Sequence, residues 1–214
     1  MAESSTDAPT LTLLLAGGRG VGKTSVARRL LGAKFTPNCA PTEGIDEFAG
    51  TLDGDSIKIF DPSHSEIANA LEVVRGAACV GVLLVCDPAD PESLRDADGW
   101  LLRLRQAVVP EVSLLLAHKH DRARARLDAH ALDAYCAHRG VLGWRATTAL
   151  HGRSINAAVA TLLQRVALHS AAAPNGPGLR RQLSHCQPHV IDPSLCPHAP
   201  HAHESDGSLT TCGL

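Results

Sequence analysis

Nine residues near the start of the chain, Gly17-Gly18-Arg19-Gly20-Val21-Gly22-Lys23-Thr24-Ser25, satisfy the pattern G-x-x-x-x-G-K-[ST]. Its glycines let backbone N–H groups wrap a phosphate chain, and a helix opening at the lysine adds the partial positive charge of its N-terminus. In such a loop Lys23 is expected to reach the β- and γ-phosphates, and the Thr24 hydroxyl to ligate Mg²⁺. The plain alternative is a glycine-rich turn with an incidental lysine. An apolar run leads into the pattern and a helical segment leaves it, as a phosphate loop requires.

The elements that must hold this loop are legible as alternation. Short apolar runs at 11–16, 57–60, 80–86, 112–117 and 141–146 read as strands. Amphipathic segments at 23–31, 66–75, 92–108, 128–139 and 154–169 read as helices; in the last, Ile155, Val159, Leu162, Leu163 and Val166 recur at helical spacing. Runs each followed by a helix predict βα units and a mostly parallel sheet. Residues 46–52, Asp53-Gly54-Asp55 and 57–60 read as a hairpin adding one antiparallel edge strand. The fold class is therefore α/β: a P-loop NTPase sheet of six strands with helices on both faces, over residues 11–170. Residues 1–10 read as a flexible N-terminus. The His-, Pro- and Ser-rich stretch 171–214 reads as a disordered tail.

Composition bounds the rest. Of 214 residues, 44% are hydrophobic, enough for a full core and too many for wholesale disorder. Aromatic residues make up 3%, so that core must be aliphatic. Lys and Arg number 20 against 22 Asp and Glu, which leaves no positive excess to neutralise nucleic-acid phosphates. The longest apolar run, Val80–Cys86, falls far short of the roughly 20 residues that span a bilayer. The acidic start lacks the basic segment of a secretory signal, and seven scattered Cys form no CxxC pair. These features predict a cytoplasmic protein.

The order of the remaining motifs resembles the Ras superfamily of small GTPases, most closely its Rab branch. It rests on Thr42-Glu43-Gly44-Ile45-Asp46, Leu52-Asp53-Gly54, Asp61 at a strand end, Arg75-Gly76-Ala77, Asp87-Pro88 with Asp90-Pro91-Glu92-Ser93, His118-Lys119-His120-Asp121 and Thr147-Thr148-Ala149-Leu150. Within the branch, Tyr135-Cys136-Ala137-His138-Arg139-Gly140 and Gly143-Trp144 resemble the subgroup associated with lysosome-related organelles.

The resemblance implies a guanine-nucleotide switch in vesicle trafficking, with GTP or GDP and Mg²⁺ as ligands. Gly17, Gly20, Val21, Gly22, Lys23, Thr24 and Ser25 would hold the phosphates. Thr24, Thr42 and Asp61 would serve the metal, Thr42 also touching the γ-phosphate through its backbone. Asp121 would accept two hydrogen bonds from guanine, Lys119 would lay its stem over the nucleoside, and Thr148, Ala149 and Leu150 would face the base. Implied partners are protein effectors, an exchange factor and an activator, for a monomer associating peripherally with an endomembrane.

Four departures from the family pattern bear on activity. Asp61-Pro62-Ser63-His64-Ser65 puts His64 where the family has the glycine contacting the γ-phosphate, and Ser65 where it has the water-orienting glutamine. Hydrolysis is therefore expected to be slow, because positioning is most of what these enzymes contribute. Arg19 stands where an arginine finger would enter. His118 replaces an asparagine, and Leu150 replaces a lysine. A second reading follows: a catalytically inactive member of the fold acting as an interaction module. A P-loop phosphotransferase is disfavoured, since nothing resembles an arginine-rich lid. In the tail, Cys212 departs from the paired-cysteine prenylation pattern. Cys186, His189, Cys196, His198, His201 and His203 read as low complexity with adventitious metal affinity.

Overall fold

The computed structural model describes residues 11–37, 39–52, 54–75, 77, 80–107, 109, 111–121 and 126–172. The expectations for residues 1–10 and for the tail from 173 onward, including Cys212 and the His- and Cys-bearing stretch, lie outside them. Strand β1 (Leu11–Ala16) feeds helix α1 (Lys23–Leu30), and β2 (Ile45–Leu52) pairs antiparallel with β3 (Asp55–Pro62). There follow α2 (Ile67–Val74), β4 (Val80–Cys86), α3 (Glu92–Gln106), β5 (Glu111–Ala117), α4 (Ala129–Arg139), β6 (Trp144–Ala146) and α5 (Gly152–Ala172). The sheet runs β2-β3-β1-β4-β5-β6, with every pair but β2·β3 parallel.

Two aliphatic layers cover the sheet. On one face Leu13, Leu15, Leu83 and Val85 pack with Val26 and Leu30 of α1 and with Ile155, Val159 and Leu162 of α5. On the other, Leu14, Val82, Leu84 and Leu115 meet Ala70 and Val74 of α2, Trp100 and Leu104 of α3, and Leu132 and Cys136 of α4. The central strands are thus buried on both faces, which is why they read as unbroken apolar runs and not as alternation. Helix ends follow local chemistry. Asp128 caps α4 by accepting from the Ala131 N–H at 2.8 Å, and Gly140, at φ 61°, closes its other end.

Most elements differ from the sequence expectation by a residue or two at their ends, and three boundaries differ for a local reason. The last strand shrinks from 141–146 to Trp144–Ala146, because the Val141 N–H bonds the Cys136 carbonyl and completes the α4 cap. The segment expected to start a helix at 66 opens with a 3-10 turn over His64–Glu66. Helix α5 runs on to Ala172, carried by alanines of high helix propensity.

The parallel strands place their carboxyl ends along one edge, where β1 lies between β3 and β4 and the chain winds both ways. Open α/β sheets bind ligands at such a crevice. Leu14 is fully buried in the strand that carries the phosphate loop. Leu14→Ala is expected to lower stability by about 2–5 kcal/mol, read as a shifted urea midpoint with unchanged slope.

Candidate functional site

A cleft of about 820 Å³ opens over that edge. Its walls bring together Gly20, Gly22, Lys23, Thr24 and Ser25 with Thr42, Asp61 and Ser65, and with His118, Lys119, Asp121, Thr148, Ala149 and Leu150. Arg19 and His64 also line it, both exposed. Gly17 and Val21 stand back from the cleft. Val21 turns into the core, and Gly17 contributes its carbonyl to the loop's internal bonding.

Lys23 is only 8% exposed, and its Nζ donates to the carbonyls of Gly17 at 3.0 Å and Gly18 at 2.9 Å. Burial pulls its pKa below the usual lysine value, while the charges of Asp61 and Asp96 act in the opposite sense. Asp61, at the end of β3, is fully buried. Its Oδ2 accepts from Thr24 Oγ1 at 2.5 Å and from Thr42 Oγ1 at 3.4 Å, and the two hydroxyl oxygens lie 3.0 Å apart. Burial raises the Asp61 pKa; the Thr24 hydrogen bond and the Lys23 charge oppose that.

The other carboxylate oxygen of Asp61, Oδ1, is buried without a partner. An orphaned carboxylate oxygen is costly unless something completes it. Two hydroxyls and one carboxylate form a hard, all-oxygen donor set suited to Mg²⁺, which binds through one or two carboxylates and ligand phosphates. Among the described residues no group of three His, Cys, Asp or Glu side chains competes for a metal. The residues present therefore fit Mg²⁺ at Thr24, Thr42 and Asp61.

The opposite wall is built on β5 and β6. His118 is 1% exposed, with Nδ1 3.0 Å from Thr147 Oγ1. Its ring fills the space over Gly22, where a Cβ would meet Cδ2 at 2.7 Å and Nε2 at 3.1 Å. Gly22 also sits at φ 104°, a conformation open chiefly to glycine. The imidazole is thus a strut between the end of β5 and the glycine-rich loop. Burial, with the Lys119 charge acting in the same sense, pushes its pKa down to about 4, against Asp121 and Asp87. It is neutral at physiological pH.

Lys119 adopts φ 60° and bonds Asp87 Oδ2 at 2.8 Å, which fixes its stem along the cleft. The Thr147 N–H bonds the Ala117 carbonyl, and the His120 N–H bonds the Thr147 carbonyl, which ties the segments after β5 and β6 together. Thr148 Oγ1 accepts from the Leu150 N–H at 3.2 Å, and the Leu150 side chain stays 49% exposed.

Ser65 is exposed, and its hydroxyl pairs with that of Ser63 at 3.0 Å. Sequence reasoning missed Phe35, which lines the cleft beside Pro37 and Pro41 at 38% exposure. No motif or periodicity around Phe35 marks it in the sequence. Its place on the wall suits stacking against a planar base.

Compared with known families, residues 12–168 match the Ras family. The chain is similar to the Ras-related protein Rab-32B of Dictyostelium discoideum, 27% identical over 72% of this chain and 63% of the relative. It therefore spans under two thirds of that relative's length. Human Rab-32 is 25% identical over 76% of this chain and 77% of its own length, and bovine Rab-13 is 26% identical over 86% and 90%.

The buried imidazole sets a pH dependence. In the unfolded chain His118 titrates near its ordinary value of about 6.5, so below that pH the unfolded state binds more protons than the native one. Its contribution is complete above pH 6.5 and is lost as pH falls toward 4, to a total of about 3 kcal/mol. Urea midpoints at pH 7 and pH 4.5 should fall less in His118→Asn than in the unaltered protein. Equal falls would show that the imidazole is not held neutral.

Proposed function

Because the chain belongs to the Ras family, in its Rab branch, we propose that it is a GTP-binding switch of intracellular membrane trafficking whose own hydrolysis of GTP is slow. The observation that carries the reading is the convergence of Lys23, Thr24, Thr42 and Asp61 at one end of the cleft, with Asp121 and Lys119 at the other. One end suits a polyphosphate and its metal, the other a purine.

Lys23 binds the β- and γ-phosphate oxygens with an ammonium already held in place by two loop carbonyls. Thr24, Thr42 and Asp61 would hold Mg²⁺, which supplies charge neutralisation between the phosphates. Thr42 lies on the loop before β2, so its engagement couples the ligand to the β2·β3 edge. Asp61 joins the same coupling, and Ser63 beyond it donates its N–H to the Gly44 carbonyl at 2.8 Å. Ligand-dependent ordering of two such segments is how a switch presents a surface to effectors. At the base, the Asp121 carboxylate accepts from guanine N1–H and the 2-amino group, a donor pair adenine lacks. Phe35 and the Lys119 stem cover the faces of the ring.

Hydrolysis is a separate matter. Ser65 is short, and its hydroxyl is engaged with Ser63, while His64 brings a side chain where a close N–H contact is needed. Both features weaken water positioning, so cycling depends on an exchange factor and an activator. The Ser63–Ser65 pair also favours a second reading, an interaction module that binds nucleotide without turning it over. No helix among the described residues is long and apolar enough to cross a membrane; endomembrane contact in this proposal is peripheral.

Titrating purified protein with GDP, GTP and ATP in the presence of Mg²⁺ is expected to show guanine binding that Lys23→Ala abolishes. Asp121→Asn should move preference toward xanthosine nucleotides, since its amide presents a donor to the xanthine 2-oxo group. Absence of binding to all three nucleotides would overturn the switch. In single-turnover assays, His64→Gly with Ser65→Gln should speed hydrolysis on the order of 10²-fold. An unaltered protein already that fast would refute slow hydrolysis, and a double variant that stays inert would favour the interaction module.

A further inference from the structure

Helix α3 sends one carboxylate to the back of the phosphate loop. A methyl placed on Gly18 would run into Asp96 Oδ2, with the Asp96 Cβ and Cγ each at 3.2 Å. The side chain therefore lies directly on the Gly18 Cα, in space that any other residue at 18 would fill. Lys23 Nζ donates to the carbonyl of this same Gly18. Asp96 and Asp61 are the two carboxylates whose charges act on the Lys23 ammonium. Their stations differ. Asp61 is fully buried, bonded to Thr24 and Thr42 on the metal side. Asp96 is half-buried and sits behind the loop, outside the cleft's lining.

We propose that Asp96 is a positioning residue that holds the Lys23 ammonium on the loop carbonyls and, by its charge, lowers affinity for the nucleoside triphosphate relative to the diphosphate. The inference rests on the guanine-nucleotide reading above. Ligand phosphates and Asp96 compete for one ammonium, and a fixed negative charge repels the more highly charged ligand more strongly. Partial burial leaves that repulsion less screened than it would be at an open surface. Gly18 is the partner that makes the arrangement possible, because only hydrogen at that position leaves room for the carboxylate.

Asp96→Asn keeps the side-chain shape against Gly18 and removes the charge. With purified protein and Mg²⁺, GTP affinity is expected to rise about threefold to tenfold, the scale of one partly screened charge. GDP affinity should rise less, and the change in the GTP-to-GDP ratio should shrink at high salt. Asp96→Glu keeps the charge and should leave the ratio near that of the unaltered protein. Gly18→Ala displaces the carboxylate, so it should shift the ratio in the same direction as Asp96→Asn, with no further shift in the double variant. A ratio unchanged in Asp96→Asn, an equal loss of both affinities, or additive shifts in the double variant would each overturn the proposal while leaving the switch reading intact. Unaltered protein that binds no guanine nucleotide would overturn both.

Discussion

Everything at this site depends on burying two opposite charges at the ends of neighbouring strands. Lys23 follows β1 across the phosphate loop, and Asp61 ends β3, which pairs with β1 in parallel register. Neither charge reaches water freely, so each must be satisfied by the fold. Lys23 takes two carbonyls of its own loop, and Asp61 takes the hydroxyls of Thr24 and Thr42. One carboxylate oxygen is left over. That residual demand suits a cation beside the Lys23 ammonium, while the Thr42 bond to the other oxygen, Oδ2, ties its loop to the strand end.

The second wall solves a different problem with a different residue. An asparagine at 118 would join base and loop by hydrogen bonds. Here an imidazole spends one ring nitrogen on Thr147 and uses the ring's bulk against Gly22. The link that His118 makes to the phosphate loop is thus contact, while its hydrogen bond stays within the β5–β6 wall. The ion pair of Lys119 with Asp87 and the backbone bonds through Thr147 keep the rest of the wall in place.

Much of this was legible beforehand, and the reason is local. Strands β1 and β4 were readable to the residue because both are buried on two faces, so their apolar runs begin and end with the strand. The phosphate loop was readable because its backbone demands glycine at fixed spacing. What stayed hidden depends on contacts between distant segments. The end of β6 was lost to the α4 cap; Phe35 gained its role only when the loop beyond α1 was laid along the cleft. The packing of His118 on Gly22 and of Asp96 on Gly18 joins positions 96 and 78 apart in sequence, which no periodicity records.

The same division explains how the cleft keeps its geometry while positions 64 and 65 depart from the family pattern. Asp61, His118 and Thr147 lie at strand ends or in the loops that leave them, Lys23 and Thr24 lie in the first turn of α1, and their backbones are fixed by a core they do not themselves form. Changing one disturbs packing, as a buried His118 beside Gly22 makes plain. His64 and Ser65 occupy an exposed 3-10 turn, bonded chiefly within the segment. Substitution there disturbs nothing beneath it, since stability is drawn from the sheet and the two aliphatic layers. The geometry of the cleft is consequently tied to the stability of the fold, whereas His64 and Ser65 lie on a segment the fold does not need. A fold built this way can change residues 64 and 65 without losing structure, because the sheet and its two aliphatic layers do not rest on them.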